Sequence, residues 1–393
     1  MIVQGIPLEG EAPVDIEIRE GIVQSVSKAA GTQPDQGSPE AIIAPTLFDI
    51  QVNGAFGIDL LDPELTAADV ERLNQWLAQW GVARWIPTLI TAPFKTLARG
   101  CRFFTTLRQD RSLARALPGI HLEGPYISPE DGPRGAHGRA HVRPPDIDEF
   151  DRLNEAADGA IRYVTLAPEV EGAESFIRHV HQQGVVVALG HHQGSADDIA
   201  RAVDAGARLS THLGNGMASQ MNRHQNPLWP QLAEDRLSAS LIADGVHLPP
   251  AVLKTFVRAK GPNRIILTSD ITPPAGLPPG PYKLGDVDVE VTPSGRVYLP
   301  GTDLLAGSGL MLLQGVVNAA HYTDLSLEQA FAAARDTPAR LFGVDIPLSQ
   351  ITVGAKADFI VFHRNADTAG GPPKAIVDAV WIDGTPIDPP SQS

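Results

Sequence analysis

Four acidic or imidazole side chains stand at the ends of four separate apolar segments of this sequence. Glu123 closes GIHLE, His191 follows VVVALG, His212 closes ARLSTH and Asp270 closes RIILTSD. A carboxylate at the mouth of a buried strand is costly unless a cation receives it. One carboxylate and two imidazoles form a three-ligand set that leaves a fourth position open for water, as catalytic zinc requires. The four residues together therefore predict a hydrolytic metal site.

Each of these residues has a plainer interpretation when it is taken alone. A lone histidine at a strand end is more often a hydrogen-bonded structural residue, and Asp270 could cap a helix or a turn. The ligand interpretation is favoured for Glu123, His191 and His212 because three strands of one barrel would deliver them together. Asp270 is predicted to be the general base, which takes a proton from metal-bound water and returns it to the leaving nitrogen. His192 is expected to face away from the metal, since successive strand residues point to opposite sides.

The segment LFDIQVNG predicts how many metal ions are bound. Gln51 and Asn53 are two residues apart, so both point to the same face of the strand. Two histidines at these positions would supply a second metal, but neutral amides are poor ligands. One divalent ion per subunit is therefore predicted. His121 shares a face with Glu123, and a supporting or packing role is expected for it.

Four further polar residues lie in loops after strand ends: His137, Asn215, Arg223 and His247. Each taken singly is best interpreted as a solvated loop residue. Collectively they offer hydrogen-bond donors to a polar substrate, and Arg223 and His247 could pair with a phosphate. No glycine-rich phosphate loop opens a helix, so side chains would have to hold such an anion.

The elements that must position these residues alternate between strand and helix in the middle of the chain. Helical patterns such as TAADVERLNQWLAQWG and SADDIARAVDAGA, the latter with Ser195 as N-cap, separate apolar strand candidates. The eight strand candidates are residues 47–52, 83–88, 119–123, 163–168, 185–190, 207–212, 238–244 and 264–270. Eight strands with helical crossovers predict a closed parallel barrel, and an open doubly wound sheet is the less favoured alternative.

The two ends of the chain are rich in strands. Residues 1–45 contain VDIEIRE and IVQSVSK, followed by a polar loop, GTQPDQGSPE. Residues 346–393 contain ADFIVF and AIVDAVWIDG. We expect both ends to form one small β-sandwich domain beside a barrel domain at 46–345, with a β-hairpin insertion near 281–300.

Composition narrows the classes of partner and location. The chain has 393 residues, 43% of them hydrophobic, and a formal net charge of −15 without a run of Lys or Arg. This balance argues against nucleic acid or an anionic membrane as partner. The single cysteine, Cys101, excludes an internal disulfide and is expected to be a buried apolar residue. With no signal-like N-terminus and no long apolar span, a cytoplasmic protein is expected.

Several motifs together resemble the N-acetylglucosamine-6-phosphate deacetylases of the amidohydrolase superfamily. They are HLEGPYISPEDGPRGAH, VTLAPE, LGHH, STHLGNGM, IADGVHL, TSDITPPAGLPPG and LAGSGLML, in the expected order over nearly the whole chain. The resemblance implies a (β/α)8 barrel with a small β-sandwich built from both termini, usually in a homodimer. It also implies removal of acetate from N-acetylglucosamine 6-phosphate, which gives glucosamine 6-phosphate in amino-sugar catabolism.

The resemblance also implies roles for particular residues. Glu123, His191 and His212 match the metal ligands, and Asp270 matches the catalytic acid/base. The remaining matches are His137 near the substrate carbonyl, Asn215 and His247 at the sugar phosphate, and Arg223 as a phosphate contact that the family takes from the neighbouring subunit. The Gln51–Asn53 pair resembles the branch of the family with a single metal.

This chain departs from the family pattern in two places. It has THLGNGMASQMNRHQNPLWP where the family commonly has THLFNAM and a His-Arg-Asp/Glu-Pro-Gly segment, and Ser269-Asp270-Ile271 where Thr-Asp-Ala is usual. Deacetylation of N-acetylglucosamine 6-phosphate by metal-bound water is the leading hypothesis, with Zn²⁺ as the metal and Fe²⁺, Co²⁺ or Mn²⁺ as alternatives. N-acetylgalactosamine 6-phosphate or an unphosphorylated amide is the alternative substrate. A sugar-binding barrel without activity is the alternative outside enzymes.

Overall fold

The computed structural model describes residues 1–29, 31, 33–347, 350–366 and 370–390 of the chain. The predicted terminal range 346–393 therefore extends over several residues outside the described part. Within the described residues, no helix has the length and apolar character needed to cross a bilayer.

Eight parallel strands form the sheet at the centre of the molecule. In chain order, barrel strands 1 to 8 are Leu47–Val52, Val82–Ile90, Ile120–Glu123, Ile161–Leu166, Val186–Leu189, Ala207–Ser210, Ser238–Leu241 and Ile265–Leu267. Each strand pairs with the next one along the chain, which is the order of a (β/α)8 barrel. Almost all apolar side chains of these strands are buried, as expected for a parallel sheet that is covered on both faces. The predicted fold class is confirmed.

The barrel closes between strands 1 and 8 through side chains as well as backbone. Val52 forms a single parallel bridge with Ile271, and the Asn53 N–H donates to the Ile271 carbonyl at 2.8 Å. Asp49 accepts hydrogen bonds at the same seam, from the Thr268 hydroxyl at 2.7 Å and from a backbone N–H at 3.1 Å. This contact links the start of strand 1 to the segment that leads to Asp270.

Helices follow the strands and cover the barrel. They are Ala67–Gln79, Phe94–Leu107, Arg111–Ala116, Ile147–Ala156, Ala173–Gln182, Ala196–Ala205, Leu228–Ala233, Pro250–Lys260, Leu312–Tyr322, Leu327–Ala333 and Asp336–Phe342, with 3-10 turns at Arg139–His141 and Pro262–Arg264. Ser195 caps the helix that follows strand 5 through a capping box with Asp198, and Gly206 ends it, as the sequence predicts. Cys101 is buried in its helix, and burial raises the pKa of its thiol to about 12.

Both ends of the chain meet in a second sheet. Its seven strands lie in the order Thr385–Ile387, Lys374–Ile382, Phe359–Asn365, Gln36–Pro45, Ile2–Pro7, Val14–Arg19 and Ile22–Lys28. Ile16 and Val23 share one hydrophobic cluster with Phe359 and Trp381 from the other half of the sheet, so the sheet folds over its own core. The prediction of a loop at GTQPDQGSPE is wrong from residue 36 onward, because Gln36–Pro45 pairs with both Ile2–Pro7 and Phe359–Asn365.

A three-stranded antiparallel insertion follows barrel strand 8. The predicted pairing of Val287–Val291 with Val297–Tyr298 is present, and Gly280–Leu284 adds a third strand. The inner side of this insertion packs against Ile90 at the end of barrel strand 2. A short ribbon, Gly54–Ala55 with Ile58–Asp59, lies after barrel strand 1.

Candidate metal centre

The predicted site residues emerge from the carboxyl ends of four barrel strands. Glu123 is the last residue of strand 3, but His191, His212 and Asp270 lie in the turns just after strands 5, 6 and 8 rather than within the strands. These three residues have backbone φ angles of 53°, 30° and 51°. Left-handed backbone is uncommon for residues other than glycine and is concentrated at functional sites. The turns aim these side chains at the space above the barrel.

Three of the four side chains converge on one point. The Oε1 atom of Glu123 lies 3.2 Å from Nε2 of His191 and 3.0 Å from Nε2 of His212. The two imidazole nitrogens are 3.0 Å apart. All three residues are buried. Among the described residues, they form the group of His, Cys, Asp or Glu side chains that could hold a metal ion, with ligand atoms within 4.8 Å of one another.

The chemistry of this cluster fits a divalent cation. Nδ1 of His191 must donate to the Pro133 carbonyl at 2.9 Å, so in the neutral ring Nε2 carries a lone pair directed at Glu123. A backbone partner on the outer nitrogen is the usual way in which proteins orient a metal-binding histidine. Buried lone pairs and a carboxylate that face one another repel, and a cation between them relieves that repulsion. Glu123, His191 and His212 could therefore hold one metal ion.

Two amides support the carboxylates of the site. Nδ2 of Asn53 donates to Oδ1 of Asp270 at 2.8 Å, and Nε2 of Gln51 donates to Oε1 of Glu123 at 3.0 Å. Both amides point to the same side of barrel strand 1, as their spacing predicts. Each one uses its nitrogen to orient a carboxylate.

The pKa values of the two carboxylates of the site, Glu123 and Asp270, are shifted in opposite directions. Burial alone would raise the pKa of Glu123, but hydrogen bonds from His191 and His212, together with the charge of His191, hold it well below its ordinary value. Burial, reinforced by the negative charge of Glu123, raises the pKa of Asp270 to about 8. Two acids with pKa values moved in opposite directions are typical of a site where one binds a cation and the other carries a proton.

His137 completes the polar side of the cluster. Its Nε2 atom lies 3.2 Å from Nε2 of His191, and its Nδ1 atom lies 2.8 Å from the Thr91 hydroxyl. The same hydroxyl lies 3.3 Å from the Glu123 carbonyl, so its single proton can go either to that carbonyl or to Nδ1 of His137. Burial lowers the pKa of His137 well below its ordinary value, so its ring is neutral near pH 7. A neutral imidazole fixed by Thr91 can present one nitrogen to a substrate.

Comparison with known proteins identifies the family. A family model described as "Amidohydrolase family" matches residues 42–387, which is most of the chain. The chain belongs to the amidohydrolase family. The prediction of a hydrolase that acts on amide C–N bonds agrees with this membership.

The relatives of this amidohydrolase include sugar-phosphate deacetylases. It is 29% identical over 359 residues to the N-acetylglucosamine-6-phosphate deacetylase of Bacillus subtilis (strain 168), covering 90% of this chain and 89% of that one. It is 35% identical over 344 residues to the Bos taurus enzyme of the same name, covering 85% and 82%. It is also 31% identical over 370 residues to the N-acetylgalactosamine-6-phosphate deacetylase of Escherichia coli O157:H7, covering 94% and 93%.

Solved structures give the same result. A mutant of the Mycobacterium smegmatis N-acetyl-D-glucosamine-6-phosphate deacetylase, in complex with N-acetyl-D-glucosamine-6-phosphate, matches with a TM-score of 0.82 and 30% identity. The match covers 98% of this chain and 99% of that one. The Thermotoga maritima N-acetylglucosamine-6-phosphate deacetylase matches with a TM-score of 0.79 and 26% identity, covering the same shares. The resemblance to N-acetylglucosamine-6-phosphate deacetylases inferred from sequence motifs is confirmed.

Seven of the eight predicted site residues of this amidohydrolase line one cavity of ≈ 220 Å³ above the barrel: Glu123, His137, His191, His212, Asn215, His247 and Asp270. Asn215 donates to the His212 carbonyl at 3.2 Å, and Nδ1 of His247 lies 2.6 Å from the Asp244 carboxylate. Arg223 is exposed and does not line this cavity. Within one chain the structure therefore does not bring Arg223 to the other predicted site residues.

Sequence reasoning missed two glycines that pack against a predicted ligand. Gly216, with φ +58°, approaches His191 so closely that an added Cβ atom would lie 2.8 Å from Nδ1. Gly135, with φ +56°, would place a Cβ atom 3.2 Å from Cε1 of the same ring. The signal that could have identified them is the sequence GNG directly after STHL and the glycine in PRGAH, each beside a predicted site residue.

His121 packs inside the barrel as expected of it, and His192 lies away from the predicted metal ligands' cavity. His121 lies between the hydroxyls of Thr88 and Thr165, at 3.1 and 2.8 Å, and stacks on Tyr163. Burial lowers its pKa to about 3, so it is neutral inside the barrel. The ring of His192 accepts a hydrogen bond from the Gly194 N–H at 3.2 Å and is absent from the residues that line the cavity.

Proposed function

We propose that this chain removes acetate from N-acetyl-D-glucosamine 6-phosphate and releases glucosamine 6-phosphate. The observation that carries the proposal is the convergence of Glu123, His191 and His212 on one point of a cavity that Asp270 also lines. Relatives that bear the name N-acetylglucosamine-6-phosphate deacetylase match at 29–35% identity and support this substrate.

The residues of the site divide the reaction between them. Glu123, His191 and His212 would hold the metal, for which we propose Zn²⁺, because one carboxylate and two imidazoles suit it. A divalent ion bound there supplies a Lewis acid that polarises the amide carbonyl and makes water acidic. Asp270, which the positive charge of a bound cation would keep ionised, accepts the proton of the attacking water, whose oxygen bonds to the acyl carbon. Asp270 then delivers that proton to the nitrogen as the C–N bond breaks, which gives acetate and the free amine.

His137 is proposed to contact the carbonyl oxygen of the substrate. When the Thr91 hydroxyl donates to Nδ1, Nε2 of His137 carries the ring proton and is directed at the metal cluster. A fixed donor of this kind stabilises the negative charge that develops on the carbonyl oxygen.

We propose that Asn215, His247 and Arg223 bind the sugar phosphate. Asn215 and His247 line the cavity, whereas Arg223 lies on an exposed loop outside it, and we propose that it reaches the phosphate bound by a neighbouring subunit. A homodimer follows from this proposal. A cytoplasmic location is proposed as well, in keeping with a catabolic enzyme whose single cysteine forms no internal disulfide.

The test is acetate release from N-acetylglucosamine 6-phosphate, N-acetylgalactosamine 6-phosphate and N-acetylglucosamine. The proposal expects the first substrate to have the highest kcat/KM. Preference for the galactosamine compound would support the second candidate, which the Escherichia coli O157:H7 relative favours. Equal turnover of phosphorylated and unphosphorylated sugars would contradict a phosphate site.

A charge variant tests the proposed phosphate contact directly. Replacement of Arg223 by alanine should reduce kcat/KM for the phosphorylated sugar by about 10- to 150-fold, the loss of one charged hydrogen bond, and leave the unphosphorylated sugar unaffected. Arg201→Ala is the matched control, because Arg201 is an exposed arginine that pairs with Asp198 on a helix. An equal effect of Arg223→Ala on both sugars would refute a phosphate contact.

A further inference from the structure

The cavity above the barrel has a polar side and an apolar side. Asn215 and His247 follow strands 6 and 7, while the apolar residues Ile90, Ala136 and Leu284 come from strand 2, the loop after strand 3 and the insertion. In an eight-stranded barrel with strands in sequential order, strand 2 lies opposite strand 6. The Glu123–His191–His212 cluster and Asp270 are therefore flanked by the hydrogen-bonding groups of Asn215 and His247 on one side, where Met217 also lies, and by the hydrocarbon of Ile90, Ala136 and Leu284 on the other.

This arrangement orients an amide substrate. Its carbonyl must lie at the metal cluster and its nitrogen within reach of Asp270. If the sugar extends toward Asn215 and His247, the acyl chain on the other side of the carbonyl points toward Ile90 and Leu284. An apolar wall suits a methyl group and offers no partner to a polar substituent.

Behind this wall lies a second cavity, of ≈ 540 Å³, between the insertion and the barrel. Among the residues described as lining the two cavities, Ile90 and Leu284 are common to both. These two side chains therefore form the partition between the space that would hold the acyl group and a larger space beyond it. Their removal would join the two cavities.

The partition is held in place. Leu284 is 5% exposed and packs with Val289, Val291 and other apolar residues of the insertion, which in turn pack against Ile90. The backbone N–H of Gly285 donates to Oδ2 of Asp59 at 2.8 Å, which fixes the turn directly after Leu284 to the ribbon that follows barrel strand 1. A wall with this support cannot easily retreat from a longer acyl chain.

We propose that Leu284, together with Ile90, sets the upper limit on the length of the acyl group and makes the enzyme selective for acetyl over longer chains. The inference depends on the proposed deacetylase function and adds its acyl specificity. One methylene beyond the space of an apolar pocket reduces kcat/KM by about 10- to 200-fold. We expect that penalty for N-propionyl-glucosamine 6-phosphate and a larger one for the N-butyryl compound.

The test compares kcat/KM for the N-acetyl, N-propionyl and N-butyryl sugar phosphates in three proteins. Leu284→Ala removes three carbons from the partition and should lower the penalty against the longer chains, measured relative to N-acetyl turnover by the same variant, by at least about tenfold. Val287→Ala is the matched control, because Val287 pairs with Leu284 in the insertion and lines only the second cavity. This control should keep the wild-type order of acyl preference.

The possible results separate the inference from the function on which it rests. No release of acetate by the wild-type enzyme would refute the proposed function. Acetate release with an unchanged acyl preference in Leu284→Ala, or an equal change in Val287→Ala, would refute only the partition. If thermal unfolding shows that Leu284→Ala does not fold, Leu284→Val provides the same comparison with one carbon removed, and a gain for the N-propionyl compound is expected.

Discussion

Replacement of Gly216 by alanine should weaken metal binding more than it weakens the fold. The added Cβ atom would lie 2.8, 3.0 and 3.1 Å from Nδ1, Cε1 and Cγ of His191. Carbon makes favourable contacts at about 3.5 to 4.0 Å, so the ring must move by several tenths of an ångström. That movement displaces Nε2 from Glu123 and His212 and weakens the hydrogen bond from Nδ1 to the Pro133 carbonyl.

The magnitude follows from two separate costs. Alanine at the left-handed φ of +58° costs about 1 to 2 kcal/mol of stability wherever it is placed. Disturbing the orientation of a metal-binding histidine reduces metal affinity by about 10- to 100-fold, which corresponds to about 1.4 to 2.8 kcal/mol. Only the second cost depends on the contact of Gly216 with His191.

Gly159→Ala isolates the backbone cost. Gly159 has a φ of +70° and no atom within 4 Å of an added Cβ, so alanine there encounters the same left-handed strain without touching His191. The assay is competition for Zn²⁺ between the protein and a chromogenic chelator, with thermal unfolding of both variants in parallel. Wild-type metal affinity in Gly216→Ala, or an equal loss of affinity in Gly159→Ala, would refute the reasoning.

Three further predictions concern the carboxylates. Asp270→Asn should lower kcat by about 10²- to 10⁴-fold with metal content unchanged, since the amide cannot carry the proton; turnover near the wild-type rate would exclude Asp270 as base. The metal-free protein should lose stability as the pH rises from about 4 to about 8. The pKa of Asp270 is about 4 in the unfolded chain and is raised to about 8 in the folded chain, so the folded chain holds this proton more tightly over that range. Melting temperatures of chelator-treated protein across this range should show the loss, and Asp270→Asn should reduce it. Asp49→Ala should reduce the free energy of unfolding, measured in denaturant titrations, by about 2 to 4 kcal/mol. The reason is that it leaves the Thr268 hydroxyl and the Ser269 N–H without their buried acceptor. A change below about 0.5 kcal/mol would contradict the role of Asp49 at the junction of strands 1 and 8.

The barrel and the residues of the Glu123–His191–His212 cluster were predictable because both depend on local patterns. Apolar segments of strand length alternate with amphipathic helices, and parallel strands place all their carboxyl ends at one mouth. A carboxylate or histidine at the end of such a segment, as with Glu123 and His191, is therefore brought to the same region whatever the intervening loops do.

The conformation of the turns was not predictable from those patterns. His191, His212 and Asp270 take left-handed backbone after the strands end. Aspartate and histidine adopt this conformation more often than most residues, but it is still uncommon for them. The surrounding structure imposes it, for example through the Ser240 hydroxyl, which accepts a hydrogen bond from the His212 N–H at 2.7 Å, 28 residues away in sequence. Assignment of His212 and Asp270 to strands was wrong for this reason.

Elements that depend on pairing between distant parts of the chain were also not predictable from the sequence. Gln36–Pro45 begins with a polar, glycine- and proline-containing segment that is typical of a loop, yet it lies between Ile2–Pro7 and the C-terminal strand Phe359–Asn365. The partition at Leu284 depends on contact between the insertion and barrel strand 2, which are about half the chain apart. Only the folded structure brings these parts together.

Metal titration tests the central claim most directly. Chelator-treated protein is supplied with increasing Zn²⁺, and acetate release from N-acetylglucosamine 6-phosphate is followed at each addition. Because Glu123, His191 and His212 provide one set of ligands per chain, activity should rise linearly and reach its plateau at one equivalent. Acetate release without metal, or a plateau only at two equivalents, would contradict a single catalytic ion in this cluster.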